Sequence, residues 1–128
     1  SPYNACVSPD GRILVFCSRG NEGRGVPMLW ASFRDDGGVW SAATRLDDGV
    51  NAPGASAQSC SFSPDGRFFF FSSVRRDALA ALPARMTMAA FKALHESPAN
   101  GSSDVYWVDA KVVRRLRTGG ATGVAGKE

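Results

Sequence analysis

Histidine is almost missing from this chain, and much familiar side-chain chemistry goes with it. His95 is the sole imidazole among 128 residues, so no histidine-rich ligand set exists and acid–base catalysis at neutral pH is severely restricted. Cysteine is scarce and odd in number. Cys6, Cys17 and Cys60 show no C-x-x-C spacing, which removes the local zinc and thiol-exchange motifs. All three fall in predicted strands and read most simply as buried free thiols. The first hairpin joins the strands of Cys6 and Cys17, and a disulfide between those two is compatible with the sequence. No run of about 18 apolar residues occurs, which excludes a helix that crosses a membrane on hydropathy alone. A charged and apolar leader is also missing. Because the chain opens on Ser1 rather than methionine, the start reads as processed, truncated or tag-derived, and the missing leader leaves the compartment open.

Charge of one sign is missing from most of the chain. The formal net charge is +3, yet after residue 109 Lys111, Arg114, Arg115, Arg117 and Lys127 face only Glu128. The remainder is close to neutral. A nucleic-acid face needs a concentrated basic patch interleaved with stacking aromatics, so the expectation is no nucleic-acid partner. Other motifs fail on their spacing. Gly119 to Lys127 has the outline of a phosphate loop, but Ala121 occupies the first required glycine position and Glu128 replaces the Ser or Thr. Gly20, Gly23 and Gly25 have the wrong order for a dinucleotide fingerprint. Asp35, Asp36, Asp47 and Asp48 sit beside glycines and read as turn residues rather than calcium ligands. No nucleophile elbow accompanies His95. Neither a cofactor nor a metal site is expected, and no catalytic residue is assigned. Asn100-Gly101-Ser102 is a glycosylation sequon, relevant only in a glycosylating pathway.

What is present is one turn used twice. Ser8-Pro9-Asp10-Gly11-Arg12 runs into Ile13-Leu14-Val15-Phe16, and Ser63-Pro64-Asp65-Gly66-Arg67 runs into Phe68-Phe69-Phe70-Phe71. Proline presets φ, aspartate bonds locally to the backbone, and glycine accepts a conformation other residues resist, so each motif closes a hairpin. Asp10 and Asp65 are therefore structural rather than a catalytic pair. The apolar runs show no alternation, the pattern of strands covered on both faces. Met28 to Arg34 reads as a third strand, Asp35-Asp36-Gly37-Gly38 as a tight turn, and Val39 to Leu46 as a fourth strand. A polar linker follows, containing Asn51, Pro53 and Gly54. The second copy repeats the order through Asp104 to Val108, where Met28 of the first copy stands in the place of Asp104. Lys111 to Arg117 is compatible with an edge strand or a short helix.

Between Val74 and Gly101 the second copy carries an insertion. Ala84 to Glu96 reads as a helix after Pro83, with Met88, Phe91 and Leu94 or His95 on one side. Two roles are open to it. It can pack its apolar side on the sheet, or it can present Met88, Phe91, Leu94 and His95 to a partner, a role suited to methionine, which also occupies position 86.

Two four-stranded antiparallel units in tandem are the sequence form of propeller blades, which cannot bury both faces alone. The Ser-Pro-Asp-Gly hairpins, the apolar second strands and Asp104-Val105-Tyr106-Trp107-Val108-Asp109-Ala110 resemble the TolB-like, WD-like β-propeller repeats of bacteria, over most of residues 3 to 117. The expected architecture is all-β, with about two four-stranded antiparallel propeller blades and one helical insertion, a partial propeller or a ring completed by oligomerisation. Residues 1–58 form the first blade and linker, residues 59–118 the second with its insertion at 74–101, and residues 119–128 a disordered tail. The resemblance implies a non-catalytic module presenting loops to a protein or small ligand, in a periplasmic or otherwise extracytoplasmic setting. The alternative is a fragment of a propeller-containing hydrolase or lyase whose catalytic residues lie elsewhere. Two blades leave apolar faces bare, so the expected partners are further copies, as in three protomers closing a six-blade ring, or the remaining blades of a longer chain.

Overall fold

Serine is the hub of each hairpin turn in the computed structural model, which describes residues 2–20 and 25–117. The Ser8 hydroxyl donates to Asp10 Oδ1 at 2.5 Å and accepts the Ile13 N–H at 2.9 Å. The Asp10 carboxylate also accepts the Arg12 N–H, and Gly11 N–H closes the turn on Ser8 C=O at 2.8 Å. Ser63, Asp65, Arg67, Gly66 and Phe68 reproduce every one of these bonds at 2.6 to 3.0 Å. Gly11 at φ 73° and Gly66 at φ 71° occupy the left-handed region that a Cβ disfavours.

From these turns grow two antiparallel sheets. The first has the order β1 (Tyr3–Val7), β2 (Ile13–Ser18), β3 (Met28–Phe33), β4 (Thr44–Arg45). The second has the order β5 (Ser56–Phe62), β6 (Phe68–Val74), β7 (Ser103–Asp109). Each first strand carries a bulge, at Asn4 with φ 50° and at Ser59 with φ 41°, where the pairing register shifts. The sheets pack face to face. Ile13, Val15, Cys17, Leu29, Ala31 and Phe33 from one meet Ala57, Phe69 and Phe71 from the other in a single buried cluster. Phe62, Phe69, Phe71 and Tyr106 form a chain of ring contacts with centroids 5.0 to 6.1 Å apart. Burying one such aromatic contributes roughly 2–3 kcal/mol.

Several expectations are corrected. The apolar runs of β2 and β6 are not covered on both faces. Their side chains alternate between fully buried and half-buried, because only two layers exist and one side of each sheet has no layer against it. The second sheet has three strands rather than four. Residues 111–117 form a helix, α2, whose first N–H, that of Lys111, is accepted by Asp109 Oδ1 at the end of β7. Ala110 and Val113 are fully buried, with Val112 and Leu116 against the core. That spacing of three and four residues suits a helix, not an edge strand. In the first sheet the fourth strand shrinks from Val39–Leu46 to Thr44–Arg45, preceded by an isolated pairing of Arg34 with Trp40. The insertion helix, called α1, runs Met88–Glu96 rather than from Ala84. Thr87 is its N-cap and accepts the Ala90 N–H, and a short 3₁₀ turn, Asp77–Ala81, precedes it. Among the described residues there are thus seven strands and more than one helical segment. The tail expected at 119–128, with its glycine motif, lies outside the described residues.

The linker after β4 is built around a buried amide. Asn51, 1% exposed, accepts the Leu29 N–H at 2.8 Å and donates to the carbonyls of Leu29 and Leu46, both at 2.9 Å. Leu46 and Val50 are buried beside it. A polar side chain survives there only because its hydrogen bonds are met. Helix α2 ties this linker to the turns, since Arg114 Nη2 donates to Gly66 C=O at 2.7 Å and Arg115 pairs with Asp47.

Two expectations can be checked by denaturation. Asn51→Ala strands a buried N–H and should destabilise the fold by about 2–3 kcal/mol, measured by urea unfolding. An effect under about 0.5 kcal/mol would contradict the amide clip. A Cβ at Gly66 comes 2.9 Å from Arg114 Nη2, whereas nothing lies within 4 Å at Gly11. Gly11→Ala should therefore cost about 1 kcal/mol from backbone strain alone and Gly66→Ala more. The reverse order would show that α2 does not seat on the second turn.

Candidate interaction surface

The carboxylates that first attract attention are occupied by the fold. Asp10 and Asp65 lie inside their turns, and their hydrogen bonds from Ser8 and Ser63 hold both carboxyls below the ordinary aspartate value. The loop acids are equally engaged. Asp35 Oδ1 accepts the Val39 N–H at 2.8 Å, Asp36 pairs with Arg12 at 2.7 Å, Asp48 with Arg45 at 3.3 Å, and Asp47 holds the Gly49 N–H and Arg115. The Arg12 guanidinium lowers the Asp36 carboxyl as well. Two clefts lie at these loops. One of about 340 Å³ is lined by Asp10, Arg12, Arg34, Asp35 and Asp36, the other of about 500 Å³ by Arg45, Asp47, Asp48, Val108 and Arg115. Each mixes both signs of charge, with Arg12 on Asp36 in the first and Arg45 on Asp48 and Arg115 on Asp47 in the second, so these charged groups are engaged within the fold. Among the described residues no group of three or more His, Cys, Asp or Glu side chains could hold a metal ion.

The insertion helix departs from the expectation that it lays an apolar side on the sheet. None of its residues is buried. Met88 is 81% exposed and Phe91 54%. The His95 ring stacks parallel on Phe91, centroids 6.3 Å apart, a consequence of their i, i+4 spacing. Phe91, Leu94 and His95 join Asn100 and Ser102 around a shallow depression of about 180 Å³. Met88 does not line it. Asn100, the sequon residue, is engaged in capping. Its Nδ2 donates to the carbonyls of Leu94 and His95, and its Oδ1 accepts the Ser102 N–H.

A second apolar surface lies on the second sheet, where the sequence led to a bare apolar face without naming the residues on it. Along β6 and β7, Phe69, Phe71, Tyr106 and Val108 point into the core. Strand alternation therefore sends Phe68, Phe70, Val105 and Trp107 to the other side. Val105 is 76% exposed and Trp107 62%. Phe68 meets Trp107 edge to face at 5.3 Å, with the Arg67 guanidinium 5.4 Å from the Phe68 ring centre. Phe68, Phe70 and Trp107 line an apolar hollow of about 210 Å³. Exposed and half-buried residues alternate along β7, and which of the two sets faces water depends on which side of the sheet the core occupies.

Comparison with protein-family profiles, with curated proteins and with solved structures found no match for this chain. The functional reading therefore rests on the surfaces themselves. Two apolar patches, one aromatic sheet face and one exposed helix, suit binding, whereas the acidic groups serve the turns and loops.

The depressed carboxyls have a pH consequence. A folded-state pKa below the unfolded value near 3.8 contributes stability above that value, and the contribution is lost as pH falls through the folded pKa. The urea midpoint should drop between pH 5 and pH 2. In a double variant, Asp10→Asn with Asp65→Asn, the drop should be shallower, with Asp36 supplying part of what remains. Identical drops in both proteins would remove the turns as its source.

Proposed function

We propose that this chain is a non-catalytic β-propeller repeat module of the TolB-like type, in which each sheet acts as a blade and the loops and helix α1 are presented to a protein or small ligand. The observation that carries the reading is the bare aromatic face of β6 and β7. Propeller blades are apolar on both sides because each is covered by its neighbours. Contiguous exposed apolar surface of this kind is uncommon on a monomer. The two-sided apolar runs of β2 and β6, buried on one side only, agree with a missing layer.

The layer is supplied by a second copy. On the first sheet the side opposite the core carries Leu14, Phe16, Met28 and Trp30, all half-buried, with Phe16 and Trp30 directly paired across β2 and β3. Seating the Phe68–Trp107 face of one copy on the Phe16–Trp30 face of the next makes a heterologous contact, which closes into a ring when its rotation permits.

Light scattering coupled to size exclusion tests the reading. The chain should self-associate between about 1 and 100 µM, and Trp107→Glu should shift it to monomer, with a Tm that matches wild type at dilution and falls below it only where the wild-type chain is associated. A wild-type chain that stays monomeric across that range would overturn the assignment of the face to a second copy.

A further inference from the structure

We propose that Cys6 and Cys60 form a dithiol that oxidises to a disulfide joining the two sheets. Their Sγ atoms are 3.0 Å apart, although 54 positions separate them in sequence and they belong to different sheets. The pairing replaces the sequence-level option of Cys6 with Cys17. In the β1–β2 register Cys6 stands opposite Val15, and Cys17 opposite Tyr3. The Cys17 thiol is buried and donates to the Ala57 carbonyl at 3.6 Å.

The two bulges create the juxtaposition. Without a bulge, Tyr3 and Ala5 would share a face of β1, and Ala57 and Ser59 a face of β5. The extra residue at Asn4 and at Ser59 resets the alternation, so Cys6 and Cys60 turn toward the core beside Tyr3 and Phe62. The bulged residues also approach each other, with Asn4 Nδ2 donating to Ser59 Oγ at 3.4 Å. Cys60 Sγ lies 3.6 Å from the Asn4 carbonyl and 3.7 Å from that of Val15. Both cysteines are only partly buried, which leaves a path for a reagent, in contrast to Cys17.

The chemistry is thiol–disulfide exchange with a low-molecular-weight disulfide such as oxidised glutathione. The thiolate of one cysteine attacks the reagent, forming a mixed disulfide and releasing one reduced thiol. The second cysteine loses its proton and attacks the protein sulfur of the mixed disulfide, releasing the second reduced thiol. Two protein thiols thereby lose two electrons and two protons, and one reagent disulfide becomes two thiols. Cys6 suits the first attack, because the shared hydrogen bond lowers its pKa while the same bond and burial raise that of Cys60. The two protons leave in separate steps that belong to the pair.

The test equilibrates the full chain in glutathione buffers of graded potential, followed by alkylation, thiol counting and peptide mapping. Free thiols should fall from the three of the reduced chain to one. Mapping should find the Cys6 peptide linked to the Cys60 peptide, and Tm should rise by about 10 °C, since a long loop is closed. Cys6→Ser and Cys60→Ser should each abolish that internal cross-link and the Tm rise. Three thiols surviving the most oxidising buffer, a cross-link through Cys17, or glutathione adducts without the internal cross-link would each overturn the proposal. Mapping of the wild-type chain is decisive even if a serine variant fails to fold.

Discussion

One-sided burial governs this structure. Two sheets supply one interface, and everything apolar that faces it becomes core, while equally apolar neighbours on the same strands do not. Phe69 and Phe71 are buried to within 1%, whereas Phe68 and Phe70, which alternate with them, remain half-buried. Side chains alternate across a strand, and the hydrophobic effect rewards only area removed from water. The exposed aromatic face is therefore not a separate feature added to the fold. It is the other half of the same strands.

The serine-centred turns and the bulges set the register of that interface. Each turn fixes where its second strand begins, and the bulge sets which residues of the first strand look inward. A one-residue slip would send Phe69 and Phe71 to solvent and Phe68 and Phe70 to the core. The same bulges bring Cys6 onto Cys60, so the sulfur contact and the core follow from one backbone feature. Helix α2 and Asn51 then hold the ends of the sandwich. Arg114 reaches the second turn, Arg115 reaches Asp47, and the Asn51 amide joins the linker to β3.

Legibility from sequence followed how local the cause was. The turns were readable because serine, proline, aspartate and glycine each act within five residues. The strands that leave the turns, β2 and β6, and the strands β3 and β7 were placed within a few residues, whereas β4 shrank to Thr44–Arg45. Helix α2 was compatible with either state, because Val112, Val113 and Leu116 satisfy both a short edge strand and a helix until the buried side is known. Asn51 read as linker polarity, since an isolated asparagine carries no mark of burial. The start of α1 moved from Ala84 to Met88 because Thr87 captured the Ala90 N–H, while the preceding residues have good helix propensity but no such cap.

The candidate surfaces divide in the same way. Met88, Phe91, Leu94 and His95 could be singled out from helical spacing, yet only the folded chain shows that no residue of this helix is buried and that Met88 stands apart from the other three. Val105 and Trp107 resemble core residues by composition. The sequence by itself determined two hairpins with the same turn chemistry, their apolar strands and the scarcity of catalytic groups, because each is written in contiguous residues. Tertiary structure alone decided which side of each strand became core, that the second sheet stops at three strands, and that Cys6 meets Cys60 rather than Cys17. Those outcomes depend on how two sheets far apart in sequence pack and on where their bulges fall, and packing between distant segments leaves no local trace.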